Sequence, residues 1–319
     1  MRVSFYKFVT LALIGLLALV PALTVSAQDC PPGIGASDCA LIAAATGENA
    51  AKLTSFVMDF TVDAEASGLQ EGNFSLTVKG SGGIDLSKVD PSVTDINEVL
   101  PSLIFSVIMD ASLTSGTENQ SGTVEVRVVD GRVFLRGFDG TDAWQEVPLE
   151  MLSGQLGAFG GSTDDLGGVL GNLNNPALAD LFGAIQTVYS ASDGPTIDGV
   201  RTRAITATTD LKPFLQALAD PNISEALSQI IPQDDPNTAQ LGSFLPLLGA
   251  IFEELNVVAT QYYGTDGTFR GLKLELNLGV DGQMAAMLTG APNDISVQFT
   301  LDVRLSKLGE PYTVEVPIQ

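Results

Sequence analysis

The chain contains no histidine, one tryptophan and only two cysteines in 319 residues. Without histidine, Ser-His-Asp and Cys-His catalysis are excluded together, and so are the usual zinc sites. A single tryptophan leaves little for stacking sugars. Bases are scarce as well, with 15 Lys and Arg against 38 Asp and Glu and a net charge of −23. Nucleic acid is excluded as a partner because phosphate contacts need clustered Lys and Arg. Docking on an anionic membrane through charge is disfavoured for the same reason. Neither G-x-x-x-x-G-K-[ST] nor G-x-G-x-x-G occurs, so the glycines of 154–171 do not signal a phosphate site. Carboxylate pairs suited to glycoside hydrolysis arise by chance among so many acids and single out no residue. Asp164-Asp165 and Asp234-Asp235 lack an EF-hand pattern and read as solvated turns. The sequence therefore predicts no enzyme, no catalytic residue, no metal and no cofactor.

The N-terminus reads as a secretory signal over residues 1–27. Arg2 and Lys7 form a basic start, Phe8 to Val20 is almost wholly apolar, and Val25-Ser26-Ala27 fits a small-x-small cleavage site. The apolar run approaches spanning length, so an uncleaved anchor is the alternative, which Pro21 and the cleavage site disfavour. Asp29 before Cys30 departs from a lipoprotein signal, so lipidation is not expected. The expected product is a soluble, secreted or periplasmic chain. Cys30 and Cys39 are then expected to form a short-loop disulfide in a leader over 28–49, with two free thiols as the alternative.

Period-two alternation dominates the rest of the chain. Phe56, Met58, Phe60 and Val62 face one way, with Asp59, Thr61 and Asp63 on the other. The same pattern recurs at Phe74–Val78, Leu103–Met109, Val124–Val128, Leu272–Leu278 and Val297–Leu305. Asp130-Gly131 and Asp266-Gly267 are hairpin turns, and a short last strand is expected at Val314–Val316. Such strands have one wet face and one greasy face, and the greasy face needs a cover. Helices are expected to supply it over Pro176–Tyr189, Leu211–Leu218, Ile223–Ile231 and Leu241–Leu255, with a strand over Ile197–Thr209 and an N-cap at Asp210. Another helix is expected near Ala40–Leu53. The predicted fold is α+β, a single domain over 50–319 with helices packed on the concave face of one curved antiparallel sheet.

Three segments carry a family resemblance. They are the hairpin Val124–Pro148 ending at Trp144, the run Ile197-Asp198-Gly199-Val200-Arg201-Thr202-Arg203, and the ending Leu301–Pro311 continuing through Val314 and Val316. In order and wording these resemble the LppX/LprAFG lipoproteins, which belong with the LolA/LolB-like carriers. The resemblance spans about residues 50–319, though each motif is short and describes a fold rather than a site. It implies an incomplete antiparallel barrel with acyl chains held between sheet and helices. The chain departs from that family in lacking a lipidated cysteine and in its longer Gly-rich stretch at 154–171, a candidate lid.

Phe56, Phe60, Phe105, Trp144, Phe182, Ile185, Phe214 and Leu218 are the candidate cavity residues. Ordinary core is the competing reading for each, because apolar residues at these spacings pack by default. The expected function is non-enzymatic binding or transport of lipid or another acyl-chain ligand, with transient contact to a membrane or membrane protein. The alternative is a secreted structural or adhesive module with a filled core.

Overall fold

A computed structural model of the chain describes residues 30–69, 72–90, 99–137, 141–148, 186–213, 252–289 and 293–318. Helix α1 (Ala36–Thr46) leads through a 3₁₀ turn (Ala50–Thr54) into β1 (Ser55–Ser67). The strands β2 (Phe74–Asp85), β3 (Ile104–Ser115), β4 (Glu118–Val129), β5 (Arg132–Arg136) and β6 (Gln145–Val147) come next. After residue 185 come β7 (Gln186–Ile197), β8 (Val200–Asp210), β9 (Phe252–Gly264) and β10 (Phe269–Val280). Helix α2 (Gly282–Thr289) then precedes β11 (Ile295–Ser306).

All eleven strands form one antiparallel sheet in the order β6-β5-β4-β3-β2-β1-β11-β10-β9-β8-β7. Two meanders are thus stitched together by the first and last strands, with Phe60 opposite Val303 and Val62 opposite Leu301. The expectation that residues 56–62 and 297–305 share one sheet is met by direct pairing. The sheet is open, with β6 and β7 at its edges, yet strongly curled. Asp198, in the turn between β7 and β8, reaches past two strands to accept the Lys307 amide at 3.0 Å.

Turn chemistry fixes the hairpins. Asp130 and Gly131 have φ of 52° and 72°, and Asp198 and Gly199 have 51° and 74°. Two successive positive φ values make the tight turn whose twist matches its strands, and Asp-Gly tolerates them well. The second of these turns splits the strand expected to begin at Ile197, which instead ends β7. Three further corrections concern the cover. Residues 186–189 and 252–255 are strand rather than helix, and Val314–Val316 forms no strand. Lys212 and Pro213 are helical, and the rest of the expected helices, at 176–185 and 214–251, lies outside the described residues, as do residues 1–27 and the Gly-rich 154–171 stretch. At the start of the second of these, Asp210 Oδ1 does accept the Lys212 amide at 2.9 Å, as expected of a cap.

The described helix on the concave face is α1. Ile42 and Ala45 join the same core as Phe56, Phe60, Phe105 and Leu305, so the leader packs into the domain rather than standing apart from it. Cys30 and Cys39 are disulfide-bonded beside it. Asp38 in its first turn receives Arg203 Nε from β8 at 2.9 Å, and Asn49 donates to the Gly267 carbonyl at 3.0 Å.

The convex face carries a strap. After β11 the chain returns across β2 to β4, where the Tyr312 hydroxyl meets Ser106 Oγ at 2.6 Å and its amide donates to Asp85. Arg127 donates to the Glu315 carbonyl at 3.2 Å. The Tyr312 ring lies where a side chain on Gly83 would be, so the glycine is a seat for the aromatic.

Candidate binding face

Because paired residues share a face, the register defines rows across the concave side. One row runs Ala191, Ile205, Gln261, Leu272, Val303, Phe60, through Gly80 to Met109 and Val124. On the side of this row toward Phe56, Ile84, Phe105 and Val128, the face is closed. Those residues are buried, as are Met58, Val107 and Leu305. Gly80 exists to admit the Phe60 ring, since an added Cβ would overlap it. Tyr263, 1% exposed, packs edge-on to Phe269 and donates its hydroxyl to Gln261 at 2.6 Å. Burial pushes its pKa up to about 12.

Polar contacts lock the same end. The Arg270 guanidinium is buried and ion-pairs with Asp266 at 2.8 Å and Asp198 at 3.4 Å. Burial pushes the Asp266 carboxyl up, but hydrogen bonds from Thr268 and Arg270 outweigh it and hold the group below its usual range. Asp85 is held low in the same way, with Ser87 and the Tyr312 amide outweighing burial.

The other end differs. The next two rows continue through Val62, Leu301, Leu274, Ala259 and Ala207, and through Ala64, Phe299, Leu276 and Val257 to Thr209. Leu274, Leu276, Leu278, Val297, Phe299 and Val257 are apolar and face inward, but are only half-buried. Ala207 and Ala259 stand side by side on β8 and β9, with Tyr189 of β7 next in the row, so the wall at these two alanines is shallow. Helix α2 borders the rim, with Ala285 and Met284 packed near Val280 and Leu278. Asp281 caps α2 by accepting the Gln283 amide at 2.8 Å. Strand β8 ends here, and β7 and β9 begin here.

Of the eight candidate residues, Phe56, Phe60 and Phe105 do lie together on the concave face, in its closed half. Trp144 does not join them. It lies on the convex face between the Arg127 and Arg136 guanidinium carbons, 4.6 and 5.0 Å from its ring, and both arginines bond Glu125. Its hairpin turns it outward because Arg127 alternates with the inward Val126 and Val128. Phe182, Ile185, Phe214 and Leu218 lie outside the described residues. The half-buried apolar rows lie on β9, β10 and β11, where the alternation at Leu272–Leu278 and Val297–Leu305 already marks inward faces.

Among the described residues no three acids or cysteines gather as a metal site, and no helix is long and apolar enough to cross a membrane. No family model matches the chain, and no curated protein is similar to it.

Proposed function

We propose that this chain is a non-enzymatic, extracytoplasmic binder of lipid or another acyl-chain ligand. The ligand lies along the half-buried apolar rows of the concave face. One observation carries this reading: the same continuous face is closed around α1 and through Val62, Val78 and Leu301, but is apolar and only half-buried at Leu274, Leu276, Leu278, Val297, Phe299 and Val257. A filled core has no reason to set Ala207 and Ala259 side by side next to a half-buried Leu274 unless something else occupies that volume. Each methylene removed from water contributes about 0.8 kcal/mol, so eight buried methylenes supply roughly 6 kcal/mol. The Cys30–Cys39 bond suits export into an oxidising compartment, in line with the signal-like first 27 residues. Kinship with the LppX/LprAFG carriers belongs to the same proposal, supported by the one-sided open sheet with a helix on its concave face.

The test is direct binding. Protein stripped of lipid by reversed-phase extraction and refolded should take up a fluorescent acyl probe saturably, with one class of site. Absence of uptake by correctly refolded protein favours the filled surface module instead.

A further inference from the structure

We propose that the bound lipid carries a head group without negative charge, an acylglycerol being the simplest case; this rests on the acyl-binding reading above. The two inner rows through Val62 and Ala64 carry no charged residue. Their polar groups are hydroxyls and an amide, including the Thr187–Thr209 pair at 3.0 Å on β7 and β8. Beyond these rows the rim is acidic. Glu65, Glu118, Asp210, Glu254, Asp281 and Asp294 are all exposed there, and Lys212 is the sole base among the described residues of that end. In the sequence, residues 149–185 and 214–251 hold eight acids and no Lys or Arg. Bases collect at the opposite pole, where Lys52, Arg201, Arg270 and Lys307 lie beside the turns and α1.

A carboxylate or phosphate head at the shallow end therefore finds no cationic clamp and sits in a negative field. Moving it inward onto uncharged rows costs still more, because a charge out of water needs a partner. An ester or hydroxyl head meets neither penalty and can exchange hydrogen bonds with threonine hydroxyls and the Gln261 amide.

Lauric acid and its methyl ester share a chain and differ in charge at pH 8, so they isolate the head group. Lipid-stripped protein loaded with N-phenyl-1-naphthylamine would be titrated with methyl laurate, monolauroylglycerol and laurate at low salt. The uncharged pair should displace the dye at about tenfold lower concentration than laurate. Raising ionic strength from about 0.01 M to about 0.5 M should shrink that gap, because the rim charges are exposed. Glu254→Lys should shrink it about two- to three-fold without changing methyl laurate. Laurate binding as tightly as its ester at low salt overturns the head-group proposal and leaves the acyl-binding reading standing. No dye binding, or no displacement by any of the three, overturns both.

Discussion

Gly83→Ala should destabilise the protein only while Tyr312 is present. Gly83 lies in a regular strand without a positive φ, so alanine is compatible with its backbone. On an open strand the change gains roughly 0.5–1 kcal/mol from reduced backbone freedom in the unfolded chain. Here the new methyl falls within the Tyr312 ring, which must lift. Lifting exposes roughly 100 Å² of ring and strand, or about 2.5 kcal/mol at 25 cal/mol per Å². It also breaks the 2.6 Å contact with Ser106, worth about 1 kcal/mol. The net cost of Gly83→Ala is therefore about 2–3 kcal/mol in the parent. In a Tyr312→Ala background the seat is empty, and the same change should stabilise by about 0.5 kcal/mol. Urea unfolding of the four proteins of this cycle gives the coupling directly. A coupling below about 0.5 kcal/mol would refute the strap's packing on Gly83.

Tyr263 keeps its proton up to about pH 12 when folded. The unfolded chain ionises near pH 10, so stability falls with rising pH between these values, by about 3 kcal/mol in all. Tyr263→Phe should remove this alkaline loss, and a spectrophotometric phenol titration should lose its latest-titrating group. Asp85 and Asp266 behave oppositely, since their folded pKa values lie below those of the unfolded chain. Their contribution is complete above the unfolded carboxylate range and disappears as pH drops through their folded values, so Asp85→Asn should flatten the acid limb of a pH–stability curve. Ala259→Trp fills the shallow wall and should abolish acyl-probe uptake with little change in thermal unfolding. In a filled core the same substitution costs about 1–3 kcal/mol or more.

Much of the sheet was legible because alternation is a direct image of a one-sided strand. Phe56 to Val62 and Val297 to Leu305 announce their inward faces without any knowledge of their partners. Their mutual pairing was not legible from pattern, since residues so far apart in sequence are brought together by the closure of two meanders. The strand at 186–197 was misread as helix in its first residues for an identifiable reason. Val188, outward and 69% exposed on an edge strand, extends the helix-like spacing of Leu181, Phe182 and Ile185. Trp144 was misplaced because aromatic character says nothing about which face of a sheet it serves. Its place is set by the arginines at 127 and 136, whose flat guanidinium groups stack on the indole. The strap was unseen because Tyr312 docks on a residue with no side chain. Gly83 leaves no apolar signal in the strand that receives the ring.

Native mass spectrometry of the protein purified from the medium or periplasm, without detergent, tests the central claim most directly. The account predicts a fraction of the protein carrying an added mass that releases on collisional activation as an acyl-containing, uncharged lipid. A spectrum of bare chain alone, together with no uptake when the protein is exposed to a total lipid extract, contradicts it.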